Sequence, residues 1–328
     1  MPAERLASAP SGTHHGAMTD TTAAALASLR GLALGDAFGQ TWFAVLRSAD
    51  DPLPLIRSRT TPAAPRWPWT DDTALALALL RVAVPGGDFT SDELAREFGE
   101  TYAADPGRGY ASGMHTLLPE LAREPASWRT RSSALFGGEG SLGNGAAMRA
   151  APLGALLHRD LPRAVARAGR AARVTHTHPE AVAGAVAVTV AAALAATAGP
   201  AAGGPAWLRD IAAHTPPGAV RDGLARAAAL PAKTPPAAAA EVLGNGVLMR
   251  ADDTVPFALW SAARHPDSLT DALWTTAEGL GDIDTTCAIT GGVVGARTGL
   301  DGVPAEWRAR CEPLPEWVDA LQARRRGD

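Results

Sequence analysis

Two short clusters of acidic residues lie about two hundred positions apart, and each is flanked by threonine hydroxyls. The first is Thr70-Asp71-Asp72-Thr73 and the second is Asp282-Ile283-Asp284-Thr285. Adjacent acids at a helix start are commonly only capping residues, because they accept from free N–H groups and oppose the helix dipole. Both clusters, however, run straight into apolar helical sequence. This pattern favours a second interpretation, in which the two clusters meet in one buried pocket.

Four carboxylates in one pocket need cations, because buried charges are tolerated only when they are paired or bound to metal. Oxygen-only ligands favour a hard ion such as Mg²⁺, Mn²⁺ or Ca²⁺ over zinc. A set of this size has room for two ions about 3.5 to 4 Å apart. If the clusters meet, we therefore predict a metal site built on the four carboxylates Asp71, Asp72, Asp282 and Asp284.

Helices are expected to hold both clusters. Residues 70–84 begin with a hydroxyl and two acids and end before a Pro-Gly-Gly turn, which predicts a helix that starts at the first cluster. After the second cluster, Gly291, Gly295 and Gly299 recur at every fourth residue. One face of that helix would carry no side chains, so another helix could approach it closely. The metal site would then be held between tightly packed helices.

The remaining sequence is Ala-rich and mostly helical in pattern. Strong helix formers occupy residues 23–34 and stop at GDAFG, residues 35–39, which has the signature of a turn. Alternation of period two is scarce, so we expect an all-α fold. The stretch 196–240, rich in Pro, Ala and Gly, is expected to form surface connections between helices. Further helices are predicted at residues 91–104, 163–173, 256–264 and 269–278.

Composition limits the classes of function. The chain has 328 residues, 46% hydrophobic and 20% charged, as in soluble globular proteins. A net charge of -4 argues against general nucleic-acid binding and against membrane-surface binding. Cys287 and Cys311 are the only cysteines, which fits a cytoplasmic protein without a disulfide framework. The uncharged stretch 181–199 approaches the length of a membrane span, but its Ala, Gly and Thr content favours a buried helix.

We expect a single catalytic domain over residues 23–320. Residues 1–22 lack the apolar run of a secretory signal and are predicted to be a disordered leader. Residues 321–328 are predicted to be a basic tail, and a monomer is expected.

Two similar glycine motifs, GNGAAMR at residues 143–149 and GNGVLMR at 244–250, lie between the acid clusters. Each alone indicates a glycine-rich turn before a helix, and together they allow the alternative of an internal repeat. The backbone N–H groups from Gly143 to Gly145 would suit a diphosphate, because glycine lets the backbone approach an anion closely.

Six motifs occur in a characteristic order across roughly residues 25 to 300: GLALGDAFG (31–39), WTDDTALALAL (69–79), RGYA (108–111), SLGNGAAMRAAPLG (141–154), THTHPEAVAGA (175–185) and GDIDTTCAITGGVVGA (281–296). This ordered set resembles the ADP-ribosylglycohydrolase family, of the dinitrogenase-reductase-activating glycohydrolase type. The resemblance implies a compact all-helical domain with a central metal cleft. It also implies two Mg²⁺ ions, with Mn²⁺ as an alternative, and hydrolysis of the bond between ADP-ribose and its acceptor.

By position, the resemblance makes Thr70, Asp71 and Asp72 the first group of metal ligands and Asp282, Asp284 and Thr285 the second. We expect the catalytic carboxylates to be Asp71, Asp72 and Asp284. An aspartate such as Asp284 would orient the attacking water or take its proton. The implied contacts of ADP-ribose are Ser141, Gly143, Asn144, Gly145, Met148, His176, Gly109 and Tyr110.

Two positions depart from the family pattern. Members commonly have a glutamate four residues after the second glycine of the GDAxG motif, and this chain has Phe43 there. The RGYG loop of the family is RGYA here, with Ala111 in place of glycine. The alternatives to an active hydrolase are therefore an ADP-ribose-binding relative without catalysis and, outside the family, a two-metal phosphohydrolase.

Overall fold

The structure is a computed structural model that describes residues 12–48, 51–197 and 203–323. Within those ranges it contains seventeen α-helices and no β-strand, so the all-α prediction is confirmed. In chain order the helices are α1 Gly12–Arg47, α2 Leu53–Arg57, α3 Asp71–Ala83, α4 Ser91–Ala104, α5 Ser112–Arg123, α6 Trp128–Ala134, α7 Ala151–Leu156, α8 Leu161–Arg173, α9 Pro179–Ala196, α10 Gly204–His214, α11 Ala219–Ala229, α12 Pro236–Leu243, α13 Ala251–Arg264, α14 Leu269–Ala277, α15 Ile283–Thr298, α16 Ala305–Arg310 and α17 Glu316–Ala323.

Helices α1 and α15 form the central pair, and glycines on both helices let their backbones touch. A Cβ atom added at Gly31 would overlap the carbonyl oxygen of Gly291, and one at Gly35 would overlap that of Cys287. A Cβ at Gly39 would lie 2.5 Å from the Cα of Asp284. The close approach expected of the glycine face on α15 is therefore confirmed, and its partner is α1.

The turn predicted at residues 35–39 is wrong, because α1 continues through these residues to Arg47. Gly35 and Gly39 serve the contact with α15 and not a change of chain direction. A glycine inside a helix costs about 1 kcal/mol relative to alanine, and the tight packing offsets that cost here. Gly299 lies outside the contact, since it follows the last turn of α15 with a φ of +59°.

The segment 12–22, expected as part of the leader, is helical in the structure because α1 begins at Gly12. Residues 1–11 and the arginines at 324–326 lie outside the described residues. The bounds of the leader and of the basic tail stay predictions.

An aromatic cluster anchors α1 next to the start of α3. Phe38 stacks on Trp307, with ring centroids 4.8 Å apart, and meets Trp274 edge to face at 5.0 Å. Trp42 and Trp67 complete the cluster, and both side chains are fully buried. Since Trp67 lies just before the first acid cluster, this packing fixes the chain where it enters α3.

Helix α9 is the apolar stretch that approaches the length of a membrane span. It is the one helix of the described residues that is long and apolar enough to cross a membrane, and 78% of its length is buried within the fold. It packs against α7, α8, α13 and α15, as the buried-helix interpretation requires.

The connections predicted over residues 196–240 are in fact mostly helices, namely α10, α11 and α12. Pro205 and Pro236 lie in the first turns of α10 and α12, where proline is tolerated because the first N–H groups of a helix have no partner within it. Trp207 and Leu224 are buried in the core, so this stretch contributes packing as well as connections.

Candidate active site

The two acid clusters meet at the N-terminal ends of α3 and α15. Oxygens of Asp36, Asp72 and Asp284 all lie within 4.8 Å of one another. Asp36 and Asp72 are buried, and Asp284 is half-buried. Asp36 belongs to α1, so three helices that are distant in sequence each contribute one carboxylate. This arrangement is the spatial convergence that the sequence predicts, with one additional acid.

The first cluster is shaped by Thr70, which caps α3. Its hydroxyl accepts a hydrogen bond from the N–H of Asp72 and lies 2.9 Å from Asp36 Oδ1 and 3.0 Å from Asp72 Oδ2. Asp71 and Asp72 therefore occupy the first turn of the helix, where the dipole favours negative charge.

The second cluster is held by the two glycine motifs, 143–149 and 244–250. The motifs lie side by side and are joined by an antiparallel bridge, in which the N–H of Asn144 donates to the carbonyl of Met249 at 3.1 Å. The side chain of Asn144 donates to Asp282 Oδ2 at 2.7 Å. The N–H of Asp282 in turn donates to the carbonyl of Asn245 at 3.1 Å.

The second motif needs glycine for steric reasons. Gly246 has a φ of +87°, and a Cβ atom there would lie 2.6 Å from the Cβ of Asp282. Both motifs thus position the same aspartate, one through a side chain and one through its backbone.

A cavity of about 450 Å³ opens above the acids. It brings together the predicted residues of both clusters and of the glycine loop, and twelve of the fourteen line it: Asp71, Asp72, Asp282, Asp284, Thr285, Gly109, Ser141, Gly143, Asn144, Gly145, Met148 and His176.

Thr70 and Tyr110 are not among the described residues that line this cavity. Thr70 lies beneath it as the cap of α3. The ring of Tyr110 is buried against that of Tyr102, at a centroid distance of 5.0 Å, and lines a separate pocket. Sequence position placed Tyr110 in the correct loop but did not reveal the direction of its side chain.

His176 packs under the glycine loop. A Cβ atom at Gly143 would lie 3.2 Å from its Nε2, and one at Gly145 would lie 3.0 Å from its Cε1, so glycines at these positions let the loop lie close to the ring. Its Nδ1 is 2.7 Å from the hydroxyl of Thr175. Burial, with a smaller effect from the charge of Arg149, lowers the pKa of His176 to about 3, which keeps the ring neutral.

Arg149, which the sequence analysis did not select, supports the same loop. Its guanidinium donates to the carbonyl of Gly145 and to the hydroxyl of Thr175, both at 2.7 Å, and lies 4.5 Å from the ring centre of Phe98. Burial lowers its pKa to about 9, so the group stays cationic at neutral pH. It faces the cavity as a fixed positive charge that attracts Asp71.

Burial raises the pKa of every acid in the cluster. The pKa of Asp36 rises to about 6 and that of Asp71 to about 7, where the charge of Asp36 adds to the effect of burial. The pKa values of Asp72 and Asp284 lie well above the usual range, from burial first and from neighbouring carboxylates second. Without a cation, these groups cannot all be ionised at neutral pH.

The residues present fit a hard divalent cation. Asp72 Oδ1 is buried and has no hydrogen-bond partner in the described part of the chain. The surrounding donors are carboxylate and hydroxyl oxygens, the ligands that Mg²⁺ and Mn²⁺ prefer. The cluster therefore has both the charge and the open oxygen that a metal ion requires.

Several residues at the mouth of the cavity escaped the sequence analysis. Phe136, Leu248 and Met249 line it with 68%, 60% and 53% of their surface exposed, and Glu139 is exposed beside them. No periodic pattern marks these loop positions. Phe43, which replaces the usual glutamate of the family, is half-buried on α1 and is not among the described lining residues.

Comparison with known proteins finds relatives named as ADP-ribosylhydrolases. The chain is 28% identical over 285 residues to ADP-ribosylhydrolase ARH3 of Homo sapiens, with 76% of each chain covered. It is also 28% identical over 291 residues to ADP-ribosylarginine hydrolase Tri1 of Serratia proteamaculans (strain 568), covering 85% of this chain and 73% of Tri1. A solved structure described as an ADP-ribosylglycohydrolase-related protein complex has the same fold, with a TM-score of 0.57 and 24% identity over 92% of this chain and 96% of the other.

The family match extends over nearly the whole chain. Residues 17–327 match the family described as ADP-ribosylglycohydrolase, and the matched region includes both acid clusters, both glycine motifs and the cavity between them. This chain therefore belongs to the ADP-ribosylglycohydrolase family, hydrolases that act on ADP-ribosyl linkages.

Proposed function

We propose that this protein removes ADP-ribose from an acceptor by hydrolysing the glycosidic bond, with two Mg²⁺ ions held by the acid clusters. The observation that supports this proposal most strongly is the meeting of Asp36, Asp72 and Asp284, of which Asp72 and Asp284 line the floor of a cavity large enough for part of a nucleotide sugar. Asp71, Asp282 and Thr285 line the same floor and complete the set of oxygen donors.

The bond to be broken joins the anomeric carbon of a ribose to nitrogen or oxygen, and its cleavage passes through an oxocarbenium-like state. Divalent ions at this site would supply Lewis acidity, which orients ribose hydroxyls and lowers the pKa of water. The protein's own task is then to hold the sugar, to align a water and to accept its proton.

Asp71 and Asp284 are the carboxylates best placed to align the water and to accept its proton, because both line the cavity and neither is fully buried. We assign Asp284 to align the water and Asp71 to share its proton. Asp72, which is almost fully buried, serves the ions alone.

The glycine loop and the neutral His176 would border the ADP-ribose. The N–H of Gly143 donates a hydrogen bond to the hydroxyl of Ser141 at 3.2 Å, and the N–H of Asn144 donates to the carbonyl of Met249. A diphosphate would therefore meet the loop at Gly145 and the Ser141 hydroxyl, both of which line the cavity. Arg149 lies behind this loop with its positive charge.

The test is to incubate the purified chain with Mg²⁺ and peptides carrying ADP-ribose on arginine, serine or threonine, and with ADP-ribosylated nucleic acid. Release of free ADP-ribose from any of them supports the proposal. The arginine linkage is tried first because the Serratia relative is named for it. Chelation by EDTA is expected to abolish release, and added Mg²⁺ to restore it.

The alternative of an ADP-ribose-binding protein without catalysis is favoured by one feature, the phenylalanine at position 43. Tight binding of ADP-ribose with no release from any of these substrates would support that alternative. Release of inorganic phosphate would instead indicate a phosphohydrolase. The cytoplasmic location and the monomeric state stay predictions, testable by fractionation and by light scattering.

A further inference from the structure

We infer that Asp36 is a positioning residue, which fixes the separation between the two acid clusters and thereby sets the affinity of the site for divalent cations. The inference rests on the metal site proposed above. Asp36 lies in the segment that the sequence pattern predicts to be a turn. Its side chain is fully buried and is not among the described residues that line the cavity.

Asp36 binds the first turn of α3 through four hydrogen bonds. The N–H of Thr70 and the N–H of Thr73 donate to its Oδ2 at 2.9 and 3.1 Å, and the Thr73 hydroxyl donates to the same oxygen at 2.6 Å. The Thr70 hydroxyl donates to Oδ1 at 2.9 Å. All of these bonds are buried, and bonds to an ionised carboxylate are stronger than those between neutral groups.

The backbone of Asp36 is equally fixed on its other side. Gly35 and Gly39 flank it on α1, and both pack directly against the backbone of α15 at Cys287 and Asp284. With no side chain between the helices, α1 cannot shift relative to Asp284 without steric overlap.

These two sets of contacts form one rigid connection. Asp284 lies on α15, and the backbone of α15 contacts α1. Asp36 lies on α1 and binds the first turn of α3, the helix that carries Asp72. Ligand positions must be held to within about 0.5 Å for a site to function well. Loss of the bonds to Asp36 would let the first cluster move relative to the second.

The hydrogen bonds to Asp36 favour a positioning role for this residue over a role as a metal ligand. Oδ2 accepts three bonds and is fully used, and Oδ1 already accepts one. Thr73 bonds Asp36 Oδ2, is fully buried and is not among the described residues that line the cavity. A change at Thr73 therefore affects the orientation of Asp36 without removing any oxygen from the metal site.

The experiment measures Mg²⁺ binding by titration calorimetry on the full-length protein without substrate, for the wild type, Asp36→Asn, Thr73→Val, Thr73→Ser and Ser28→Ala. Ser28→Ala is the matched control, because it removes a buried 2.7 Å hydrogen bond from Ser28 to Gly292 between α1 and α15, away from the acids. Thermal unfolding of each variant shows that it is folded at the temperature of the titration.

We expect Thr73→Val to weaken Mg²⁺ binding about tenfold and Asp36→Asn more, in the range of about 10 to 100-fold typical of residues that orient metal ligands. Thr73→Ser keeps the hydroxyl and should restore binding to within about twofold. Ser28→Ala should lower thermal stability but leave Mg²⁺ affinity unchanged.

Wild-type affinity in Thr73→Val together with lost affinity in Asp36→Asn would overturn the inference, since Asp36 would then act as a ligand. Wild-type affinity in both variants would also overturn it, as would absence of Mg²⁺ binding to the wild type. If the wild type binds Mg²⁺ but releases no ADP-ribose, the proposed hydrolysis fails while the positioning role of Asp36 is judged by the titrations alone.

Discussion

The floor and the mouth of the cavity are built in opposite ways. The floor consists of the starts of α3 and α15, whose acids are buried or half-buried, and of α1, which touches the backbone of α15 through glycines. The mouth consists of loops in which Phe136, Leu248 and Met249 are more than half exposed. A rigid floor suits a step that demands fixed geometry, namely the placement of ions and water. An exposed mouth built from loops, which carries Glu139 beside the apolar side chains, suits contact with the acceptor, because binding residues commonly lie on loops.

The strongest test of this contrast is Asp284→Asn on the floor. In the proposed mechanism this carboxylate is both a metal ligand and the group that aligns the water, so kcat/KM for ADP-ribose release is expected to fall about 10³-fold. The control is Asp319→Asn, an exposed acid paired with Arg30, which should keep full activity. An Asp284→Asn variant with more than a tenth of wild-type activity would contradict the role of the floor.

Gly35→Ala tests the rigidity of the floor. The new methyl group would overlap the backbone of Cys287, and the overpacking is expected to lower the free energy of unfolding by about 3 kcal/mol. Gly113→Ala is the matched control, because it is also helical and its Cβ would meet open space. Urea denaturation measures both variants. Equal stability in the two would show that α1 and α15 do not touch as described.

The pH dependence of stability follows from the raised pKa values of the floor. Asp36 and Asp71 ionise near pH 4 in the unfolded chain, but their pKa values in the metal-free fold are about 6 and about 7. The folded protein therefore binds more protons in this window, and its stability falls as pH rises through it. If Mg²⁺ binds these carboxylates as proposed, it replaces those protons, so the melting temperature should rise more on adding Mg²⁺ at about pH 7.5 than at about pH 5. Equal increases in melting temperature at both pH values would contradict the binding of Mg²⁺ to these carboxylates.

Leu248→Ala tests the mouth and has the smallest expected effect. Since 60% of this residue is exposed, the free energy of unfolding should change by less than about 0.5 kcal/mol. If the mouth contacts the acceptor, KM should rise a few-fold with kcat unchanged. Val242→Ala, a similar truncation at 48% exposure on α12, serves as the control with no change in KM.

The sequence predicted the floor far better than the mouth, for physical reasons. Asp71 and Asp72 at the start of α3, and the glycine face of α15, follow from capping and from helical spacing, which are local properties. The sequence analysis missed Asp36 because the glycines around it, Gly35 and Gly39, are as typical of a turn as of a close contact between helices. The helix that they contact lies about 250 residues away in the chain.

The side-chain directions of loop residues could not be read from the sequence. Tyr110 turns towards Tyr102, Arg149 turns under the glycine loop, and Glu139 lines the cavity. Packing around each side chain sets its direction, and residue type alone does not reveal it. The second glycine motif was found, but only the structure relates it to Asp282.

The most direct test of the account is a crystal structure with Mn²⁺, in which anomalous scattering locates the ions. We predict that Mn²⁺ lies between Asp72 and Asp284 at the cavity floor, with carboxylate oxygens at about 2.0 to 2.3 Å. The account would be contradicted if those two side chains were far apart, or if the floor remained without Mn²⁺ in crystals of an active protein.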